Sequence, residues 1–190
     1  MDIYKTFPIL ENEKYILRPV LDADLDNLLK VYSDVKAVPL FNSDNCHGDI
    51  FYYTTKERMK QALDFWKQAY DNGWFVRFAI VDKKSGELIG TIEEFHRDEK
   101  DYFTNCGLLR LDLRSDYEKA TEIDSMLSLI AAPSFDLFGC GIVATKAIPS
   151  AVERIKALKA TGFKLSHEPL IGYDGTKYYD YYVLNKDSII

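Results

Sequence analysis

The stretch Leu108–Ile130, LLRLDLRSDYEKATEIDSMLSLI, decides how this chain folds. Leu109, Leu111 and Leu113 alternate with Arg110 and Asp112, the period-two pattern of a half-buried strand. Ile123, Met126, Leu127 and Ile130 then recur at i, i+3, i+4 and i+7, the apolar stripe of an amphipathic helix. A polar turn from Arg114 to Glu122 joins the two. A helix entered this way leaves its first backbone N–H groups unpaired. With the helix dipole, those groups form a potential phosphate site. Two capping boxes compete for the helix start. Ser115-x-x-Glu118 would fill the donors from within, whereas Thr121-x-x-Asp124 would leave residues 114–120 free to wrap a ligand. The stripe begins at Ile123, which favours the later start.

Towards the N-terminus, Lys14–Val20 reads as a strand ended by Pro19, and Asp22 as the cap of a helix carrying Leu25, Leu28, Leu29 and Tyr32. Asp34–Tyr53 is a long loop, of the kind that is usually functional or poorly ordered. Thr54 or Thr55 caps a second helix with Met59, Leu63, Trp66 and Tyr70 in register, stopped by Asn72-Gly73. Trp74–Asp82 and Leu88–His96 form a hairpin around Ser85-Gly86, and a charged turn, Arg97–Tyr102, leads into the 105–113 strand. Beyond the pivotal helix, Phe138–Gly141 breaks the pattern and Ile142–Thr145 is a short buried strand. Ala151–Thr161 is a helix with Val152, Ile155 and Leu158 inward, and Gly162 ends it. Phe163–His167 and Lys177–Leu184 are the last strands, around an Asp174-Gly175 turn. This order gives an α+β (mixed α/β) fold, a single domain over 1–190 with about four helices on the faces of a central sheet.

At 190 residues and 47% hydrophobic, such a chain buries a core without disulfides. Its net charge of −6 argues against nucleic acid and against an anionic membrane surface. The odd, scattered cysteines, Cys46, Cys106 and Cys140, suit free thiols in a reducing compartment. The opening MDIYKTFPIL lacks the pattern of a signal peptide, so a cytoplasmic location is expected.

Four segments together resemble the GNAT (GCN5-related) acyltransferase family. They are Ile16–Pro19 with Asp22-Ala23-Asp24, Gly86–Phe95 (GELIGTIEEF), Cys106–Glu118 (CGLLRLDLRSDYE) and Ala151–Phe163 ending in ALKATGF. The resemblance is nearest to the branch that acetylates ribosomal proteins and small amines. It implies a mostly antiparallel twisted sheet splayed between the family's fourth and fifth strands. It also implies acetyl-CoA as cosubstrate and a primary amine of a small molecule or peptide N-terminus as acceptor; a monomer or homodimer is expected, and the sequence does not decide between them. Backbone contacts to the cofactor would fall on Leu111, Asp112 and Leu113, and the pyrophosphate on the turn 118–123, with Lys119, Ala120, Thr121 and Glu122. Arg154, in the basic run with Lys156, Lys159 and Lys164, would seat the ribose phosphate.

The chain departs from that pattern at the turn. Where the family has Gln/Arg-x-x-Gly-x-Gly/Ala, an ungapped match places Glu118, Thr121 and Ile123. A gapped match of Ala120-Thr121-Glu122 would instead shorten the turn. Without glycine, backbone approaches phosphate less closely, and Glu118 and Glu122 would face an anion. At an effective dielectric of ~20, like charges 4 Å apart repel by on the order of 4 kcal/mol before screening. A micromolar affinity is worth roughly 8 kcal/mol. The family's usual tyrosine acid falls on Leu158, which has no proton to give. Direct amine attack on a thioester needs a base for the amine and an acid for the thiolate. The candidates are Glu94 (with Glu93 on the opposite strand face), Asp112 and Tyr117, with the tyrosines of Tyr178–Tyr182 as substitutes for the acid. Phe51 and Trp66 are candidates for a lid over the acceptor cleft. A metal site at Asp44–Asp49 is disfavoured because neighbouring ligands diverge. The alternative to an enzyme is a binding or regulatory module of the same fold with a degenerate pyrophosphate turn.

Overall fold

Alternating apolar residues build one eight-stranded sheet, which the computed structural model describes over residues 2–188. The elements are β1 (Leu10–Glu11), β2 (Tyr15–Pro19), α1 (Leu25–Tyr32), α2 (Lys56–Asp71), β3 (Val76–Asp82), β4 (Leu88–Arg97) and β5 (Cys106–Leu113). They continue with α3 (Ala120–Leu137), β6 (Ile142–Lys146), α4 (Val152–Ala160), β7 (Lys164–Leu165), β8 (Leu170–Ile171), β9 (Lys177–Tyr178) and β10 (Tyr181–Asn185). Strand order is β1-β2-β3-β4-β5-β6-β10-β7, and β8-β9 is a separate small hairpin. Every pairing is antiparallel except β5 with β6.

The period of two sorts the sheet into two faces. One face carries Leu109, Leu111 and Leu113 against Ile123, Met126, Leu127 and Ile130 of α3 and Leu158 of α4. The other carries Ala79, Val81 and Leu88 against Leu28, Val31 and Tyr32 of α1 and Met59, Leu63 and Trp66 of α2. Thr55 caps α2 by accepting from the Arg58 amide at 3.2 Å, and Gly73 leaves it at φ 69°. Both agree with the sequence.

Several local expectations fail for non-local reasons. Asp22 opens a 3-10 turn rather than capping α1, and it is Asp24 that accepts from the Leu21 amide, itself held by Arg18. Neither capping box starts α3. Lys119 stands at its N-cap without a side-chain bond, and Ser115–Tyr117 is a separate 3-10 turn. On α4 the inward residues are Arg154, Ala157 and Leu158, while Val152 is 55% exposed. The predicted C-terminal strands shorten to β7, β9 and β10.

Two features of β4 generate measurable consequences. A Cβ on Gly90 would lie 2.5 Å from the Asp112 carbonyl oxygen, so β4 and β5 meet where only glycine fits. Gly90→Ala should lower unfolding stability by about 1–3 kcal/mol in urea titration. Glu94 is buried beneath α3, where Ser134 donates to Oε2 at 2.8 Å and Oε1 has no partner among the described residues. Burial pushes this carboxyl from 4.5 up to about 8, against the opposing Ser134 bond. The folded state therefore holds a proton that the unfolded chain releases. Stability from this group is complete below pH 4.5 and lost as pH rises towards about 8, at no more than about 1.4 kcal/mol per unit. Glu94→Gln should flatten that slope in denaturation curves measured across this window.

Candidate active site

β5 and β6 run side by side only from Cys106 opposite Ile142 to Leu109 opposite Thr145. Beyond that, Arg110–Leu113 keep β4 on one edge and lose their partner on the other. The sheet therefore splays there, leaving backbone groups to be satisfied by something else. Arg154 does this. It projects from α4 into the gap, 3% exposed, and its Nη1 donates to the Leu111 carbonyl at 2.8 Å and the Leu40 carbonyl at 2.9 Å. Its Nη2 pairs with Glu118.

The turn that follows β5 is closed in the same way. The Ser115 amide donates to Asp34 Oδ2 at 2.8 Å, and the Ala120 amide to Glu153 Oε2 at 3.0 Å. The amides of Tyr117, Glu118 and Lys119 bond within the turn, and those of Glu122 and Ile123 bond to the Lys119 carbonyl. Glu122 turns back to Lys14 and to the Tyr15 hydroxyl. The Tyr15 hydrogen bond is the leading cause that holds its carboxyl below the usual range. Thr121 is exposed on the first turn of α3. Around the turn Asp34, Asp116, Glu118, Glu122 and Glu153 stand with Lys14, Arg114, Lys119, Arg154 and Lys156, and among the described residues all of these cations but Lys119 are paired with one of those acids. As it stands, this corner does not fit a pyrophosphate: its outward amides are largely taken, and the groups that take them carry the ligand's own charge.

The α1/α2 face of the same strands carries a buried polar network. Arg77 pairs with Glu93, and its Nη1 reaches the Tyr32 hydroxyl at 2.8 Å, Thr91 Oγ1 at 3.0 Å and Asp112 Oδ2 at 3.1 Å. Arg110 holds the other oxygen of Glu93 at 2.6 Å and the Asp44 carbonyl at 2.9 Å. Tyr32 donates to Asp112 Oδ2 at 2.7 Å, and Asp112 Oδ1 has no partner among the described residues. Burial pushes Asp112 up, against the pull of Arg77 and Tyr32. Burial also pushes Glu93 up, but Arg77 and Arg110 outweigh it and hold Glu93 below the usual range. Two carboxylates in one network are thus driven apart, which is how acid and base roles become distinguishable.

The predicted catalytic residues do not converge. Asp112 lies on the α1/α2 face, Glu94 lies on the other face under α3, and Tyr117 donates to Asp82 at 2.9 Å on the outer side of the turn. The sequence assigns Glu93 and Glu94 to opposite faces, and the residue on the α1/α2 face is Glu93. Leu111 and Leu113 are buried towards α3, so what they offer the gap is backbone, and the Leu111 carbonyl is already occupied. Arg154 lies in the gap rather than on a basic surface with Lys156 and Lys159, which are exposed. In the sequence Arg77 has no assigned role, Tyr32 is only a position on the apolar face of α1, and Asp44 is only part of a disfavoured metal segment. An arginine inside the apolar run Trp74–Val81 is the signal that was available for Arg77. The cysteines are free, with Cys106 and Cys140 buried and Cys46 partly so. Burial raises all three thiols, Cys46 and Cys140 to about 11.

Beside the network lies an open cavity of about 400 Å³, lined by aromatic residues of α2, the 45–53 loop, β4 and the segment just before β3, with Arg77, Glu93 and Arg110 also in its lining. Phe51 and Trp66 both line it. Among the described residues no group of three metal-ligating side chains forms, and no helix is long and apolar enough to cross a membrane.

No protein-family model and no curated protein matches this sequence. Solved structures do match its fold. A ribosomal-protein-S5-alanine acetyltransferase from Vibrio fischeri superposes with a TM-score of 0.64 at 19% identity, over 95% of this chain and 98% of its own. RimJ from Mycobacterium smegmatis, in complex with CoA-disulfide, gives 0.71 at 13% identity, over 96% and 88%. A GNAT-family acetyltransferase from Bacillus anthracis gives 0.69 at 11% identity, over 95% and 100%. In its mostly antiparallel sheet, its one splayed parallel pair and its four helices, the chain has the fold of the GNAT acetyltransferases.

Proposed function

We propose that the chain is an N-acetyltransferase, moving an acetyl group to a primary amine by direct attack, with acetyl-CoA as the donor its fold implies. The observation that carries this reading is Asp112. It stands on the strand that parts from its parallel neighbour. One carboxylate oxygen is unpartnered, and burial raises its proton affinity. In this reading Asp112 is the acceptor for the amine proton; it is fully buried behind Arg77, which lines the adjacent cavity, and the Tyr32 and Thr91 hydroxyls, 2.7 Å apart, orient it. Glu93 is held ionised by two arginines and serves to position them. Since the turn as it stands does not fit the donor's pyrophosphate, the chemistry assigned to this chain's residues stops at the acceptor.

One observation favours a second reading, a binding or regulatory module. The amides a phosphate would use at Ser115 and Ala120 are capped by Asp34 and Glu153, and Arg154 is sequestered by Glu118. Calorimetry with acetyl-CoA and desulfo-CoA separates the two. Micromolar binding supports the acetyltransferase. In that case Glu118→Gln combined with Glu153→Ala, which removes two anions and frees an amide, should tighten binding by about tenfold or more. No heat at millimolar cofactor, for either the natural chain or the double variant, supports the module. For an active protein, thiol release from acetyl-CoA with a panel of amines should fall about 100-fold in kcat for Asp112→Asn, with KM changed far less.

A further inference from the structure

The cavity beside the buried network differs in character from the closed turn. Its walls are flat and apolar: Phe51, Tyr53, Trp66, Trp74 and Phe75 line it. The floor carries the guanidiniums of Arg77 and Arg110 against Glu93 and, behind Arg77, Asp112, while Nε of both arginines is buried without a partner among the described residues. Arg77 and Arg110 hold Glu93 between them, and the Arg77 guanidinium stacks 4.1 Å from the Trp66 ring centroid. A ligand entering there meets aromatic faces above ion-paired side chains, which favours an apolar, flat buried part.

The rim is different. Arg58 lies 4.3 Å over the Tyr53 ring and uses Nη2 alone to bond Asp49, at 2.8 Å. Its side chain is 43% exposed, which leaves further guanidinium donors for an acceptor group at the mouth. The loop forming this wall is also held in an unusual backbone state. Asn45, His47 and Phe51 have φ of 60°, 54° and 61°. Asp49 fixes this loop by accepting from the Phe51 amide at 2.7 Å, the Tyr53 hydroxyl at 2.9 Å and Arg58. A bulky aromatic in the left-handed region costs about 1–3 kcal/mol and persists where surrounding contacts over-determine it, as in ligand clamps.

We infer that this cavity binds a small aryl carboxylate, its ring against the aromatic wall that includes Phe51, Trp74 and Phe75 and its carboxylate on Arg58. An aromatic amino acid is the amine-bearing member of that class. With its carboxylate on Arg58 the α-amine of such an amino acid also lies at the mouth, so the ligand is not assigned as the acceptor and the inference stands apart from the acetyltransferase reading.

Both tryptophans of the chain line the cavity, so intrinsic fluorescence reports on it directly. The probes are 3-phenylpropionate, L-phenylalanine and phenethylamine, added to the full chain without CoA. Saturable change with both acids, and binding of phenethylamine weaker by about tenfold or more, is expected. Arg58→Gln should bring acid and amine to within about threefold of each other. Trp74→Ala, at a half-exposed rim position, should weaken both acids while Trp66 still reports. No saturable change at millimolar acid with folded protein overturns the inference, as does equal binding of phenethylamine or an undiminished preference in Arg58→Gln. Binding of the acids with no calorimetric signal for acetyl-CoA keeps the cavity and removes the acetyltransferase reading. Acetyl-CoA binding without the acids does the reverse.

Discussion

The architecture turns on one buried guanidinium. Where β5 leaves β6, a β-sheet opens and its backbone loses hydrogen-bond partners, and a protein interior does not tolerate that. Arg154 closes the opening from α4, tying together the strand, the Leu40 carbonyl of the long loop and the acid at the head of the turn. A charge buried to this degree is stable only while its partners remain, and removal of one partner of such a pair typically costs about 3–5 kcal/mol. The same contact decides whether the splay is free for a ligand or occupied by the chain. Stability and access are therefore opposed at a single side chain.

A second buried set, Arg77, Glu93, Arg110 and Asp112, sits across the sheet from the α3 core. Desolvating these groups is expensive, and apolar replacements of the same volume are often neutral or stabilising. Unpaired atoms remain within it, Nε of both arginines and Oδ1 of Asp112. Asp112 Oδ1 is the one acceptor among them, and Nε of each arginine is a donor.

Much of this was legible in the sequence. The alternation through Leu109–Leu113, the stripe from Ile123 to Ile130, the Thr55 cap and the Gly73 stop all depend on neighbours a few residues away, and all appear as read. What escaped depends on distant parts of the chain. The start of α3 is set by Glu153, 33 residues further on, so no local capping box had authority over it. Arg154 reads as part of a solvated basic run until the gap it fills is known. The choice between Glu93 and Glu94 likewise needs the identity of the helices on each face, which alternation alone does not supply.

Both ends of the large sheet are two residues long, β1 on one side and β7 on the other. A border that short gives another polypeptide almost no ladder to extend, which is a common natural guard against uncontrolled stacking into fibrils. Contacts through side-chain surfaces such as helix flanks, where specificity is set by shape and charge, are favoured over main-chain pairing at such borders.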